Sequence, residues 1–213
     1  MLKPPRAERL GLEGPAGALE ALIESPVTDA PAVRAFGVVC HPHPLYGGTL
    51  DNKVVYTLAR SFVQLGAPAV RFNFRGVGAS AGVYDDGRGE TEDALAVIRY
   101  GRQRWPGAAL WLAGFSFGGA VAVRAAGEAS PERLVAVAPG VLTIPLARAA
   151  PPACPWLIVQ GDADEVVPPG TVRAWAEPLA PRVKLEMLPG AGHFFHGRLH
   201  DLRETVLAFM GSE

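Results

Sequence analysis

Residues 108–127, AALWLAGFSFGGAVAVRAAG, change character in the middle. The first eight form a short apolar run of strand type. The last eleven are rich in small apolar residues and read as a helix. Between them Gly114-Phe115-Ser116-Phe117-Gly118 matches G-x-S-x-G. A strand that turns abruptly into a helix leaves its apical residue with a strained backbone. Small residues two places before and two after let neighbouring backbone approach without a Cβ clash. The Ser116 hydroxyl then projects above the sheet, and the Phe117 N–H, at the start of the helix, points the same way. The plainer alternative is a Gly-rich turn with serine as the helix cap. A phosphate loop is excluded because neither G-K-[ST] nor G-x-G-x-x-G is present.

Outward from this turn, apolar runs alternate with helical patterns. Strands are expected over 17–25, 33–40, 67–74, 108–115, 133–140, 155–161 and 182–188. Helices are expected over 49–65, 89–105, 117–127, 171–179 and 198–210. The helix over 89–105 begins acidic and ends in arginines, the favourable order for its dipole. In the last helix Leu199, Leu202, Val206 and Phe209 form the apolar stripe. The segment before Pro31 fits either a hairpin or two sheet-edge strands. This alternation predicts an α/β fold: a mostly parallel central sheet with helices on both faces, its site at the carboxyl ends of the strands.

The chain has 213 residues, 49% of them hydrophobic, which suits a single domain over 1–213. A net charge of −1 offers no basic field for nucleic acid or anionic lipid. The start, MLKPPRAERLGLEGP, lacks the apolar core of a signal peptide, and no window has the length of a membrane span. Cytoplasmic location is therefore expected, with Cys40 and Cys154 as reduced, small apolar residues. The 25 glycines and 20 prolines lie between apolar runs, so they punctuate elements and do not mark a disordered tract.

A serine hydroxyl needs an imidazole base oriented by a carboxylate. Downstream, LIVQGDADEVVPP (157–169) sets Asp162, Asp164 and Glu165 just past a buried strand. LPGAGHFFHG (188–197) sets His193 in a Gly-rich loop after the last strand. Asp164 is preferred as the orienting group, because Asp162 directly follows Gly161 and suits a local turn bond. His193 is preferred over His196 and His200. Those two stand four apart near a helix start but have no further ligands at metal spacing. His41 and His43 likewise lack nearby carboxylates, and no metal or other cofactor is expected.

Ser, Asp and His in this order resemble the α/β-hydrolase superfamily, with the likeness running from about residue 33 to the end. RFNFRGVGASAG (71–82) is similar to the loop that borders the site in many members. CHPHPLYGGTLDNKVV (40–55) is similar to a group of small, lidless bacterial esterase-like hydrolases. The resemblance implies a second oxyanion donor from the loop after the third strand. Here that loop reads His41-Pro42-His43-Pro44, and proline has no N–H. The donor must be Leu45 or His43, and Leu45 is preferred beside Phe117.

The resemblance further implies a serine hydrolase cleaving small to medium acyl esters through an acyl-enzyme, with a small-molecule acyl substrate. Val141 to Cys154 leaves only 14 residues where larger relatives insert a cap. No cap domain and an open site are expected, with Leu142, Ile144 and Leu146 available to one wall. Phe115, Phe117, Phe194, Phe195 and Tyr46 are candidates for acyl contacts or for core. A thioesterase or peptidase with the same triad, or a non-catalytic binding protein on the same fold, are the competing readings.

Overall fold

The computed structural model describes residues 4–27, 32–144, 146 and 152–212. Its elements are β1 (Arg6–Gly14), β2 (Gly17–Ser25), β3 (Ala35–Cys40), α1 (Lys53–Gln64), β4 (Ala69–Phe72), α2 (Arg88–Arg104), β5 (Ala109–Phe115) and α3 (Phe117–Ala129). They continue with β6 (Arg133–Val137), β7 (Trp156–Gly161), α4 (Pro169–Ala176), β8 (Val183–Leu188) and α5 (Leu199–Met210). One eight-stranded sheet runs β1-β2-β4-β3-β5-β6-β7-β8. From β4 to β8 every pairing is parallel, while β1 and β2 add antiparallel strands at one edge.

The two alternatives for the N-terminal segment prove to be one arrangement. Pro15 and Ala16 close a hairpin with Gly14 opposite Gly17, and both its strands form the edge of the sheet. Side-chain alternation divides the core in two. Phe36, Val38, Leu112 and Ile158 pack with α2, α3 and α4, whereas Val39, Phe115, Leu157 and Val159 pack with α1 and α5. Strands buried on both faces explain the nearly continuous apolar runs. Burying one such large side chain contributes about 1.5–3 kcal/mol, so both helical layers are held by the same strands.

Most element ends shift by one or two residues from expectation, and three of the larger shifts have a local reason. Asn52 caps α1 by accepting the Val54 N–H at 2.9 Å, so the helix starts at Lys53 and not at Thr49. β6 stops at Val137 because Ala138 turns to φ +42°. Gly140 N–H then donates to the Ser116 carbonyl at 2.8 Å. α4 ends before Pro178 and continues only as a 3-10 turn, Glu177–Leu179. Among the described residues no helix is long and apolar enough to cross a membrane.

The chain passes from β3 outward to β4 and back across to β5, so the connections after β3 and β5 leave in opposite directions. That reversal opens a crevice above the carboxyl ends of β3 and β5. Among the described residues no cap domain covers it. Of the three apolar residues expected to form a wall, Ile144 and Leu146 are buried in the core and Leu142 is exposed, so the wall reduces to Leu142. Residues 145 and 147–151 of the β6–β7 connection lie outside the described residues. Both cysteines are free, Cys40 buried and Cys154 half-buried.

Candidate active site

Ser116 stands between β5 and α3 with φ +56° and ψ −120°, a conformation that costs a non-glycine residue about 1–3 kcal/mol. The surrounding backbone holds it there. Ser116 N–H donates to Val137 O at 2.9 Å, and its carbonyl accepts from Gly140 and Ala120. The flanking glycines are required by contact. A Cβ on Gly114 would stand 2.1 Å from Gly118 O, and one on Gly118 would stand 2.3 Å from His41 O. The loop after β3 therefore lies directly on the first turn of α3.

Asp164 and His193 arrive on the loops after β7 and β8. These loops are tied together by the Ala163 N–H donating to Ala191 O at 3.1 Å, and Gly161 has no room for a side chain against that carbonyl. The His193 ring lies between Phe115 and Phe194, each with its centroid 5.0 Å away. His193 Nδ1 is 2.8 Å from Asp164 Oδ2, and Nε2 is 3.1 Å from Ser116 Oγ. A carboxylate can only accept, so Nδ1 carries the proton and Nε2 is free to take one from the serine. Ser116 is half-buried, while His193 and Asp164 are almost fully buried.

Four donors surround the Asp164 carboxylate. Oδ1 accepts the N–H groups of Val166 (2.9 Å) and Val167 (2.8 Å), and Oδ2 accepts from His193 and from Gln160 Nε2 (2.9 Å). Burial pushes this carboxyl upward, but the His193 bond, the two backbone donors and the nearby imidazole outweigh it, and it sits below its ordinary value. The residue is thus held as an anion. Asp162 lies outside this cluster and accepts the Gly190 N–H at 2.6 Å, the local turn bond its sequence position suggests. Glu165 is exposed. His196 meets Lys53 Nζ, and His200 is exposed on α5.

The loop after β3 is rigid for a reason the sequence did not reveal. His41 is fully buried: Nδ1–H donates to Pro42 O at 2.6 Å and Nε2 accepts the Phe74 N–H at 3.0 Å. Burial lowers it to about 4 despite the Pro42 bond, so it is neutral at pH 7. A 3-10 turn, Pro44–Tyr46, follows. The Leu45 N–H, the preferred second donor, is directed at His43 Nδ1 at 3.3 Å. The His43 N–H has no acceptor among the described residues. Its ring packs on Phe117 and Tyr84 at 4.9 and 5.0 Å between centroids. Burial moves the His43 ring below its ordinary value, against the opposing pull of Asp86.

The aromatic residues divide sharply. Phe115, Phe117 and Phe195 are core, whereas Tyr46 and Phe194 are exposed beside the site. Leu45, beside Tyr46, and Leu142 and Val166, on the loops after β6 and β7, are also exposed at this end of the sheet. The polar residues of 71–82 are engaged elsewhere: Asn73 with Glu20 and Leu50, and Arg75 with Asp93. A cavity of about 640 Å³ lined by Trp105, Trp111 and Arg34 lies at the amino ends of the strands. It is remote from Ser116, and the chemistry described above does not reach it.

The model of the family described as serine aminopeptidase, S33, matches residues 47–154. A lidless α/β serine hydrolase from Xanthomonas campestris superposes with a TM-score of 0.91 at 42% identity, over 99% of this chain and 96% of that one. An α/β serine hydrolase homologue from Coxiella burnetii gives 0.89 at 46% identity, over 94% and 96%. An uncharacterised protein of Rickettsia prowazekii is 35% identical over 199 residues, 88% of this chain and 83% of its own.

Proposed function

The chain belongs to the lidless α/β serine hydrolases, and from that premise we propose that it cleaves small to medium acyl esters through an acyl-enzyme on Ser116. The observation that carries this reading is the relay from Ser116 Oγ through His193 to Asp164, with spans of 3.1 and 2.8 Å. In the first step His193 Nε2 takes the hydroxyl proton as Oγ bonds to the acyl carbon. Asp164, kept ionised, stabilises the imidazolium that results. The carbonyl oxygen, now negative, is received by backbone N–H groups aimed at where charge develops.

Phe117 supplies one of these donors. The other is assigned to His43 in place of Leu45, because the Leu45 N–H already has a partner and the backbone N–H of His43 has none among the described residues. The intermediate collapses, the leaving alkoxide takes the proton from Nε2, and an acyl-Ser116 ester remains. Water, deprotonated by His193, then repeats the sequence and releases the acid. No metal or other cofactor enters these steps. Without a cap, the acyl group meets exposed side chains at this end of the sheet, with Tyr46, Phe194, Leu142, Leu45 and Val166 available among the described residues, and such an open surface favours short and medium chains.

The test is turnover of p-nitrophenyl esters of increasing acyl length, with one acyl-thioester and one aminoacyl anilide alongside. Ester hydrolysis that falls off for long chains and disappears in Ser116→Ala is expected. Preference for the thioester or the anilide would reassign the leaving group while keeping the triad. Absence of turnover together with no fluorophosphonate labelling of Ser116 would remove the enzymatic reading.

A further inference from the structure

β7 is apolar from Trp156 to Val159 and then carries Gln160, which is fully buried. A polar side chain in such a strand has to find partners or cost stability. Gln160 Nε2 finds three oxygens: Asp164 Oδ2 at 2.9 Å, Val167 O at 3.1 Å and Gly161 O at 3.3 Å. Its Oε1 has none among the described residues. The opposite amide orientation would set that oxygen against a carboxylate and a carbonyl, so the donor orientation is dictated by the neighbours. A leucine or methionine would fill the same space without an orphaned oxygen. The expense is understandable if the amide serves the carboxylate beside it.

We propose that Gln160 is a positioning residue of the triad, its side-chain amide holding Asp164 Oδ2 toward His193 and drawing off part of that oxygen's negative charge. The inference rests on the hydrolase reading given above, since it concerns the same three groups. Val166 and Val167 hold Oδ1 alone. Gln160 is the second donor on Oδ2, the oxygen that meets Nδ1, and completes the four acceptor sites of the carboxylate. Without it, rotation about the side chain is restrained from one side only, and Oδ2 becomes the more strongly charged partner of the imidazole. The protonated imidazole is then favoured.

The titratable groups around this pair are Ser116 from the elbow, Glu165 from the same loop as Asp164, and His196 beyond Phe194. Glu165 Oε2 lies 3.1 Å from where a Cβ on Gly192 would stand, and the Phe194 and His196 centroids are 6.2 Å apart. None of these lies within hydrogen-bond distance of Oδ2. Asp162 faces the Gly190 N–H.

The experiment uses Gln160→Met, which keeps length and removes the donor, and Gln160→Glu, whose protonated carboxyl can still donate. In Gln160→Met the NMR titration of the His193 ring, and the acidic limb of kcat/KM with it, should move to higher pH by about half a unit. kcat should fall about tenfold with KM within about twofold, as expected of a misoriented relay. Gln160→Glu should approach parental kcat at the acidic end and lose it as the second carboxylate ionises. The NMR titration needs no substrate, so it tests Gln160 even if no ester is turned over. A folded Gln160→Met with unchanged His193 titration overturns the proposal, whatever its kcat. If that variant does not fold, a Gln160→Glu whose activity follows the parental pH profile overturns it as well.

Discussion

Replacing Gly118 by alanine tests the contact on which the proposed oxyanion site depends. The added Cβ would stand 2.3 Å from His41 O and 2.4 Å from Cys40 O, where ordinary contact begins at 3.4 Å. Both obstacles are backbone at the end of β3, so neither can rotate away. The loop bearing His43 must retreat from α3 by about 1 Å, and overpacking of this kind costs about 1–3 kcal/mol. For a chain of this size that corresponds to a fall in Tm of about 3–10 °C. The same displacement separates the Phe117 and His43 N–H groups, and about 1 Å of misplacement lowers turnover by about 10²-fold. The assay pairs thermal unfolding with p-nitrophenyl acetate hydrolysis. Gly11→Ala serves as control, because its Cβ would meet nothing within 4 Å. A Gly118→Ala protein with parental Tm and parental kcat/KM would refute the reasoning.

Two further perturbations follow from the same geometry. Ser116→Gly should abolish turnover yet raise Tm by about 2–6 °C, because glycine relieves a strained φ of +56° that alanine retains; equal Tm values for the Gly and Ala variants would contradict the strain. His41, held near 4 in the folded protein, ties stability to pH: below the ordinary histidine value the unfolded chain binds a proton that the folded one refuses. Its contribution is complete above about pH 6.5 and is lost as pH falls toward 4, by about 3 kcal/mol in all. Urea unfolding across that range should show the slope in the parent and a weaker one in His41→Gln; parallel curves would rule the histidine out.

Much of the architecture was already visible along the chain because its causes are local. Runs buried on both faces have to be apolar, as in β3 and β7, and a sharp strand-to-helix turn needs the small residues at 114 and 118. Such features mark the parallel sheet and Ser116 without reference to distant residues. Asp164 and His193 stood out because each follows a strand, Asp164 in an acidic loop and His193 in a Gly-rich one. Gln160 carried a signal too, a lone amide in an apolar strand, but its meaning depends on a carboxylate four residues later turning back toward it.

The sequence by itself therefore determined the order of strands and helices, the elbow and the set of polar groups available at the strand ends. Only the tertiary structure decided how they combine. Ser116 and His193 are 77 residues apart and His193 and Asp164 are 29 apart, and parallel strands carry their loops to one edge of the sheet. It also decided that the N-terminal hairpin lies at the sheet edge, that Leu45 N–H is engaged while the backbone N–H of His43 meets no acceptor among the described residues, and that Ile144 belongs to the core. Each of these is a matter of which groups meet across the fold. Local pattern constrains what a residue can do, and only packing selects its partner.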